Sequence, residues 1–307
     1  MGAEPANSLL TPSRGITRRV IYQRLADYWM MTKPEVNLLV VTTCGVGFYL
    51  GASGQLHPGL LVNTLVGTFL VASGTAALNE YMERAHDAEM RRTAARPLPA
   101  GRLRPAEGLA LGLLLSAAGA IYLDLAANRL ASLIAILTLL SYLLLYTPLK
   151  RKTPLCTIVG AFPGAMPPLI GWAAARGSLS FEAWLLCAML FLWQFPHFSA
   201  IAWLYRRDYL RAGYLMLPPA DRNGRFMGTQ VVGFSLVLVL VSLIPALMGE
   251  AGRLYLGGAI VLGVAFLYCG ARLAFSKSNL LARRVVLASV IYLPLLYALM
   301  IVNRTRA

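Results

Sequence analysis

The chain has 307 residues, 58% of them hydrophobic and only 13% charged, with 28 Lys and Arg against 13 Asp and Glu. Soluble domains carry about a quarter charged residues, so a water-soluble globule is excluded. The net charge of +15 invites a nucleic-acid partner, but no nucleic-acid motif accompanies it, and the basic residues sit where they would face anionic lipid.

Residues 1–33 form a basic N-terminal segment without an apolar core, so no cleavable signal peptide is expected. Its stretch from Ile16 to Met31, with Arg18, Arg19, Tyr22, Arg24, Tyr28 and Trp29, reads either as an interfacial helix on the inner surface or as an unstructured leader. Nine apolar runs follow, at about 36–54, 60–79, 108–126, 130–147, 155–174, 182–204, 230–248, 254–275 and 285–302. Each is about the length a helix needs to cross the hydrocarbon core. Asn128 marks a tight hairpin between the third and fourth. Of the 28 Lys and Arg, 23 fall in the N-terminus and in the segments after spans two, four, six and eight, and 5 in the others. Cytoplasmic loops carry that excess, so the N-terminus is expected inside and the C-terminus outside. The expected fold is an all-α polytopic membrane protein of about nine transmembrane helices, with residues 34–303 forming one domain in a bacterial inner membrane. Cys44, Cys156, Cys187 and Cys269 stand singly, without metal-ligand spacing, and read as small buried hydrophobes.

Two inner segments carry chemistry. The first continues span two through Asn79, Glu83 and Asp87. If the helix persists, residues four apart drift about 40° per step and rise about 6 Å, so the three share one face. Three hard oxygen ligands suit Mg²⁺, which favours one or two carboxylates together with substrate phosphate. The competing reading is a solvated acidic stripe salt-bridged to neighbouring arginines. Position argues against it: the stripe starts at the end of an apolar span, after the small residues Ser73-Gly74-Thr75-Ala76-Ala77, and carboxylates at a membrane edge are costly. Arg91, Arg92 and Arg96 follow directly, with charges suited to a diphosphate.

The second segment runs from Trp193-Gln194-Phe195-Pro196-His197-Phe198 to Asp208-Tyr209 and Gly213. Asp208 lies at the same kind of helix end as Asp87, which suggests two halves converging on one cation. Pro196 is expected to kink its span. Gln194 and His197 are polar at membrane depth, as packing groups or as ligand contacts. Lys150, Arg151 and Lys152 close span four, as topology determinants or as diphosphate contacts. The run Gly160 to Trp172, rich in Gly and Pro, is odd for a plain span and suits a cavity wall or close packing.

These motifs resemble the UbiA superfamily of intramembrane prenyltransferases, over about Lys33 to Pro245. The resemblance rests on Asn79/Glu83/Asp87 with Arg92-Thr93 and Arg96-Pro97-Leu98-Pro99-Ala100-Gly101, on Tyr146-Thr147 with Lys150-Arg151, and on Gly160 to Trp172. It extends to Gln194-Phe195-Pro196-His197-Phe198 and Asp208-Tyr209…Ala212-Gly213…Met216-Leu217-Pro218, which favour the haem-modifying branch. Quinone-type relatives tend to carry a second Asp where this chain has Ala212. The resemblance implies helices around a central cavity under a cap of inner loops, and farnesyl transfer from farnesyl diphosphate to the vinyl group of haem b. It also implies Mg²⁺ on Asn79, Glu83, Asp87 and Asp208, diphosphate on Arg92, Arg96, Lys150 and Arg151, and haem near His197 and Gln194. Partners would be the lipid bilayer and haem A synthase or terminal oxidase assembly. The chain departs from the pattern at Glu83 (often Asp), at Arg207 (usually an acid) and at Tyr214-Leu215 (usually Ile-Pro). Rival readings are prenyl transfer to an aromatic quinone precursor, a membrane transporter and an oxidase assembly factor. Crowding of the carboxylates and arginines on one side disfavours a transporter, whose polar sites lie near the midplane.

Overall fold

The computed structural model describes residues 14–305 except Ser53 and Arg222. Among the described residues the architecture is all helical, apart from an isolated bridge between Ala251 and Arg304. We number the helices α1 (Arg14–Met31), α2 (Pro34–Gly51), α3 (Pro58–Asp87), α4 (Pro105–Ala126), α5 (Arg129–Leu149) and α6 (Cys156–Arg176). Next come α7 (Phe181–Leu204), the short α8 (Arg206–Arg211), α9 (Arg225–Leu247), α10 (Arg253–Ser276) and α11 (Asn279–Val302).

Among the described residues, 8 helices are long and apolar enough to cross a membrane: α3 to α7 and α9 to α11. The nine expected spans thus become eight on that standard. The remaining run is α2, a helix of 18 residues whose first turn carries Glu35 and Asn37. Its polar start is tied inward, because Asn37 donates to Thr32 O and to Ser73 Oγ. Large apolar side chains such as Leu114, Leu125, Leu137, Val261 and Leu287 stay exposed on the outer faces. A soluble protein avoids such a surface, and a bilayer covers it.

Local sequence explains the breaks. Pro34, Pro58 and Pro105 each open a helix at its first turn, where a missing N–H costs nothing. Asn128 caps α5 by accepting from Ala131 N at 2.9 Å, and its amide donates to Ala173 O at 2.7 Å, which makes the expected hairpin and docks it on α6. α6 is interrupted at Met166, just before Pro167-Pro168, between pieces Cys156–Ala165 and Pro167–Arg176. Its second piece crosses α2 at near backbone contact: a Cβ on Gly171 would lie 1.9 Å from Cys44 O, and one on Gly47 2.0 Å from Pro168 O. The helix of α7 continues through Pro196. α6 and α7 are the most buried spans and form the centre of the bundle. All four cysteines are free, three of them buried.

α3 matters most for the site. At 30 residues it is about 45 Å long, well beyond the roughly 30 Å hydrocarbon core. Part of it therefore extends beyond the apolar layer, and α3 stays helical to Asp87 as the sequence reading required. α1 is helical, and its last residue, Met31, packs with Ala77, Leu98 and Leu103. Asp27 pairs with Arg102 at 2.9 Å, and Arg24 pairs with Glu107.

Candidate active site

Helical periodicity puts Asn79, Glu83 and Asp87 on one face of the end of α3, and all three are buried. Each meets a cation from a different segment. Lys33 Nζ donates to Asn79 Oδ1 at 3.0 Å. Lys150 Nζ reaches both oxygens of Glu83, at 2.8 and 3.1 Å. Arg96 Nη1 lies 2.5 Å from Asp87 Oδ2. The stripe is thus the floor of a site roofed by three other segments, so it is no solvated face. Charges buried to this degree persist only when paired.

Local structure fixes each cation. Lys33 sits in the left-handed region, φ 49°, at the junction of α1 and α2, so its side chain turns back toward α3. Removal from water, and then the neighbouring Arg96, pull its pKa down to about 8. Arg96 is brought round by a tight loop in which Thr93 Oγ1 donates to Asp87 O at 2.8 Å. That loop is held from below, where Glu80 Oε1 accepts from Leu98 N at 3.1 Å. Lys150 follows a π-helical stretch, Ser141–Tyr146, in α5. Such single wide turns often mark functional sites, because they rotate the residues beyond them. Here the turn puts the ring of Tyr146 4.5 Å from Lys150 Nζ and lets Thr147 accept from Asn79 Nδ2 at 3.2 Å. Burial acts to lower the pKa of Lys150, but Tyr146 and Glu83 outweigh it, and the ammonium is held well above its ordinary value.

The second expected half lies at the same end of the molecule. Arg92 donates to Tyr209 OH at 3.1 Å and stacks over Tyr205 at 5.1 Å, and Met90 packs with Ala212 and Tyr214. Asp208 itself faces Arg211 at 3.7 Å, on its own short helix. Among the described residues, no three Asp, Glu, His or Cys side chains come together as a metal-holding group. The stripe brings two carboxylates and one amide together, and Asp208 stands apart from them. Arg151 is turned toward His86, 3.0 Å from its Nε2. A cavity of about 260 Å³ opens beside α8, lined among others by Trp203, Arg206, Tyr209 and Tyr214.

The polar residues of α7 divide. Gln194 is buried and ties α7 to α6, donating to Ala161 O at 2.9 Å, while a Cβ on Gly164 would meet its Oε1 at 2.0 Å. His197 stacks on Trp193 at 4.7 Å and approaches Ser289 Oγ at 2.7 Å through Nδ1. Ser289 Oγ gives its own hydrogen to Val286 O, at 2.6 Å, so the proton between the pair belongs to His197 Nδ1. The imidazole is then the Nδ1–H tautomer, and its Nε2 carries a lone pair.

The model of the UbiA prenyltransferase family matches residues 39–303. The chain belongs to that family. Among its relatives, the protoheme IX farnesyltransferase of Solibacter usitatus is 50% identical over 289 residues, covering 91% of this chain and 99% of the relative. That of Koribacter versatilis is 44% identical, covering 97% and 99%. Among solved structures, a digeranylgeranylglyceryl phosphate synthase superposes with a TM-score of 0.75 at 16% identity, over 92% of this chain and 98% of the other. A UbiA homolog from Archaeoglobus fulgidus, bound to GPP and Mg²⁺, gives 0.66 at 15% identity, over 89% and 99%. At such low identity these structures establish the fold.

The sequence reading named Asn79, Glu83, Asp87, Arg96 and Lys150, and the structure brings these five together. It missed Lys33, Thr147 and Glu80. Lys33 did leave a signal, as a lone cation directly before the proline that opens α2.

Proposed function

We propose that the chain transfers a farnesyl group from farnesyl diphosphate to the vinyl group of haem b, giving haem O and diphosphate. The observation that carries the reading is the buried Asn79/Glu83/Asp87 face met by Lys33, Lys150 and Arg96. Hard oxygens and converging cations together suit a diphosphate and its metal. The donor set fits Mg²⁺: Asn79, Glu83 and Asp87 would hold it, and Asp208, which stands apart on α8, would join them only on closure of that short helix over the stripe. When bound there, Mg²⁺ would offset the negative charge of the leaving diphosphate.

The chain's own residues do the rest. Lys150, Arg96 and Lys33 draw in the diphosphate, and Arg92 and Arg151 widen the cationic rim. As the carbon–oxygen bond breaks, its electron pair passes to the diphosphate oxygen, and these cations stabilise the charge that builds there. The farnesyl cation left behind must be shielded from water until the vinyl carbon attacks it. The apolar bundle below the stripe excludes water, and the rings of Tyr142 and Tyr146 are placed to face a cation. Water then adds to the haem-side cation and loses a proton, leaving a hydroxyl.

Haem, as against a quinone precursor, is favoured by His197 and by the names of the relatives. Its Nδ1–H is pinned by Ser289, and a neutral imidazole held in this way offers Nε2 to a metal such as haem iron. Gln194, engaged with α6, contributes to the wall. The proposed setting is a bacterial inner membrane, crossed nine times with α2 included, with the N-terminus inside and the C-terminus outside. A reporter fused after Ala307 should be active only when translocated, and one within residues 84–104 only when retained.

The deciding experiment supplies membranes containing the protein with farnesyl diphosphate, Mg²⁺ and haem b. The expected product is a more hydrophobic haem, heavier by one farnesyl and one hydroxyl group, while 4-hydroxybenzoate stays unmodified. Prenylated 4-hydroxybenzoate with unchanged haem b would replace this reading with the quinone-type one.

A further inference from the structure

One side chain at the stripe has no place in the scheme so far. Tyr214 is 4% exposed, and its hydroxyl is buried without a hydrogen-bond partner. The acceptor within its reach is the Glu83 carboxylate, whose two oxygens already accept from Lys150.

The position of Tyr214 is fixed from several sides. Gly213, at φ 69°, turns the chain there, and Tyr214 N donates to Tyr209 O at 2.8 Å. The next residue, Leu215, donates its N–H to Lys150 O at 2.7 Å, which ties this segment to the loop that delivers Lys150. The ring stands edge-on to His86 at 6.0 Å and to Tyr209 at 6.2 Å, and it packs with Met90 and Ala212. Lys150 Nζ lies 5.9 Å from its centre. A buried phenol normally finds an acceptor, because stranding the hydroxyl away from water is unfavourable. Here no hydrogen bond is closed, and the acceptor in reach, Glu83, belongs to the cations and carboxylates proposed to hold the diphosphate.

We propose that the Tyr214 hydroxyl is a substrate-binding group, donating a hydrogen bond to a non-bridging oxygen of the prenyl diphosphate. The proposal rests on the reading of the α3 stripe as the diphosphate site. A neutral donor complements the ammonium and guanidinium groups there: it adds direction to the binding without adding charge. Because the ring is already packed, little side-chain freedom is lost when the bond forms.

The test compares Tyr214→Phe with the parent protein in detergent, using Mg²⁺ and the non-cleavable analogue farnesyl thiodiphosphate. Phe keeps the packing on His86, Met90 and Ala212 and removes only the hydroxyl. The expected result is roughly tenfold weaker analogue binding, in the range of a hydrogen bond to a charged group. KM for farnesyl diphosphate should rise, with the Mg²⁺ half-saturation unchanged. Binding is also read as the rise in Tm on adding analogue, taken from each variant's own ligand-free Tm, so a less stable variant still reports. Equal affinities for the two proteins would overturn the proposal. So would normal analogue binding with a raised Mg²⁺ requirement, since the hydroxyl would then serve Glu83. Asp87→Asn, run in parallel, separates the two levels. Undiminished analogue binding there removes the diphosphate reading itself, whereas its loss beside a normal Tyr214→Phe removes only this inference.

Discussion

The two halves of the site are built differently. On the α3 side, Asn79, Glu83 and Asp87 project from the last turns of a 30-residue helix packed along its length against α4, and each meets a cation at 3.0 Å or less. On the α8 side, Asp208 sits on a helix of 6 residues with no buried residue, paired at 3.7 Å with its neighbour Arg211. So short a helix has no stability of its own and takes its position from contacts, here Arg92 on Tyr209 and the packing of Met90 on Tyr214. One half is a fixed floor, and the other is a cover resting on loop contacts. A substrate with a long isoprenoid tail needs a way in, and the cover is the half that can lift with the fewest broken contacts.

That contrast sets the order of effects. The largest belongs to the floor. Asp87→Asn and Glu83→Gln should each lower farnesyl transfer by roughly 10²- to 10³-fold, the range for losing a group that stabilises developing charge. The amount of protein in the membrane should stay close to normal. A drop of less than tenfold would mean that the stripe is structural. Asp208→Asn should also remove most turnover, and if α8 is a cover the loss should fall partly on KM, where the floor variants lose kcat. Equal effects on both halves would erase the distinction.

Next in size is a packing effect. Gly164→Ala places a Cβ 2.0 Å from Gln194 Oε1, where α6 and α7 touch. Overpacking of this kind costs about 1–3 kcal/mol, so Tm in detergent should fall. An unchanged Tm would show that Gln194 can swing aside, which would free it to contact haem. The smallest effect is expected at the rim: Arg92→Ala loses an exposed stacking contact worth about 0.5–1 kcal/mol, a two- to fivefold rise in KM for farnesyl diphosphate. A larger change would mean that Arg92 binds the diphosphate directly.

The floor was legible in the sequence because a helix imposes its own arithmetic: once α3 continues to Asp87, spacing alone aligns Asn79, Glu83 and Asp87. The Asn128 hairpin was legible for a similar reason, since a cap is a local event. Lys33, Thr147 and Tyr214 were not legible as members of the site. Each reaches it from a segment far away in sequence, and what brings it there, such as the left-handed backbone of Lys33 or the π-helical turn before Thr147, has no spacing signature. Gln194 shows the opposite limit. Its polarity at membrane depth was visible, but the partner that claims it, Ala161 O on α6, was not. For α2, the inward side of Asn37 became clear only from its bonds to Thr32 and Ser73.

The central claim is that the α3 floor binds a prenyl diphosphate together with a divalent metal. It is tested most directly by titrating farnesyl thiodiphosphate into the purified protein with Mg²⁺ and again with EDTA, for the parent and for Asp87→Asn. The account predicts saturable binding by the parent with Mg²⁺, largely lost on adding EDTA and absent from Asp87→Asn under either condition. Binding that is equally tight in EDTA, and equally tight in Asp87→Asn, would contradict it.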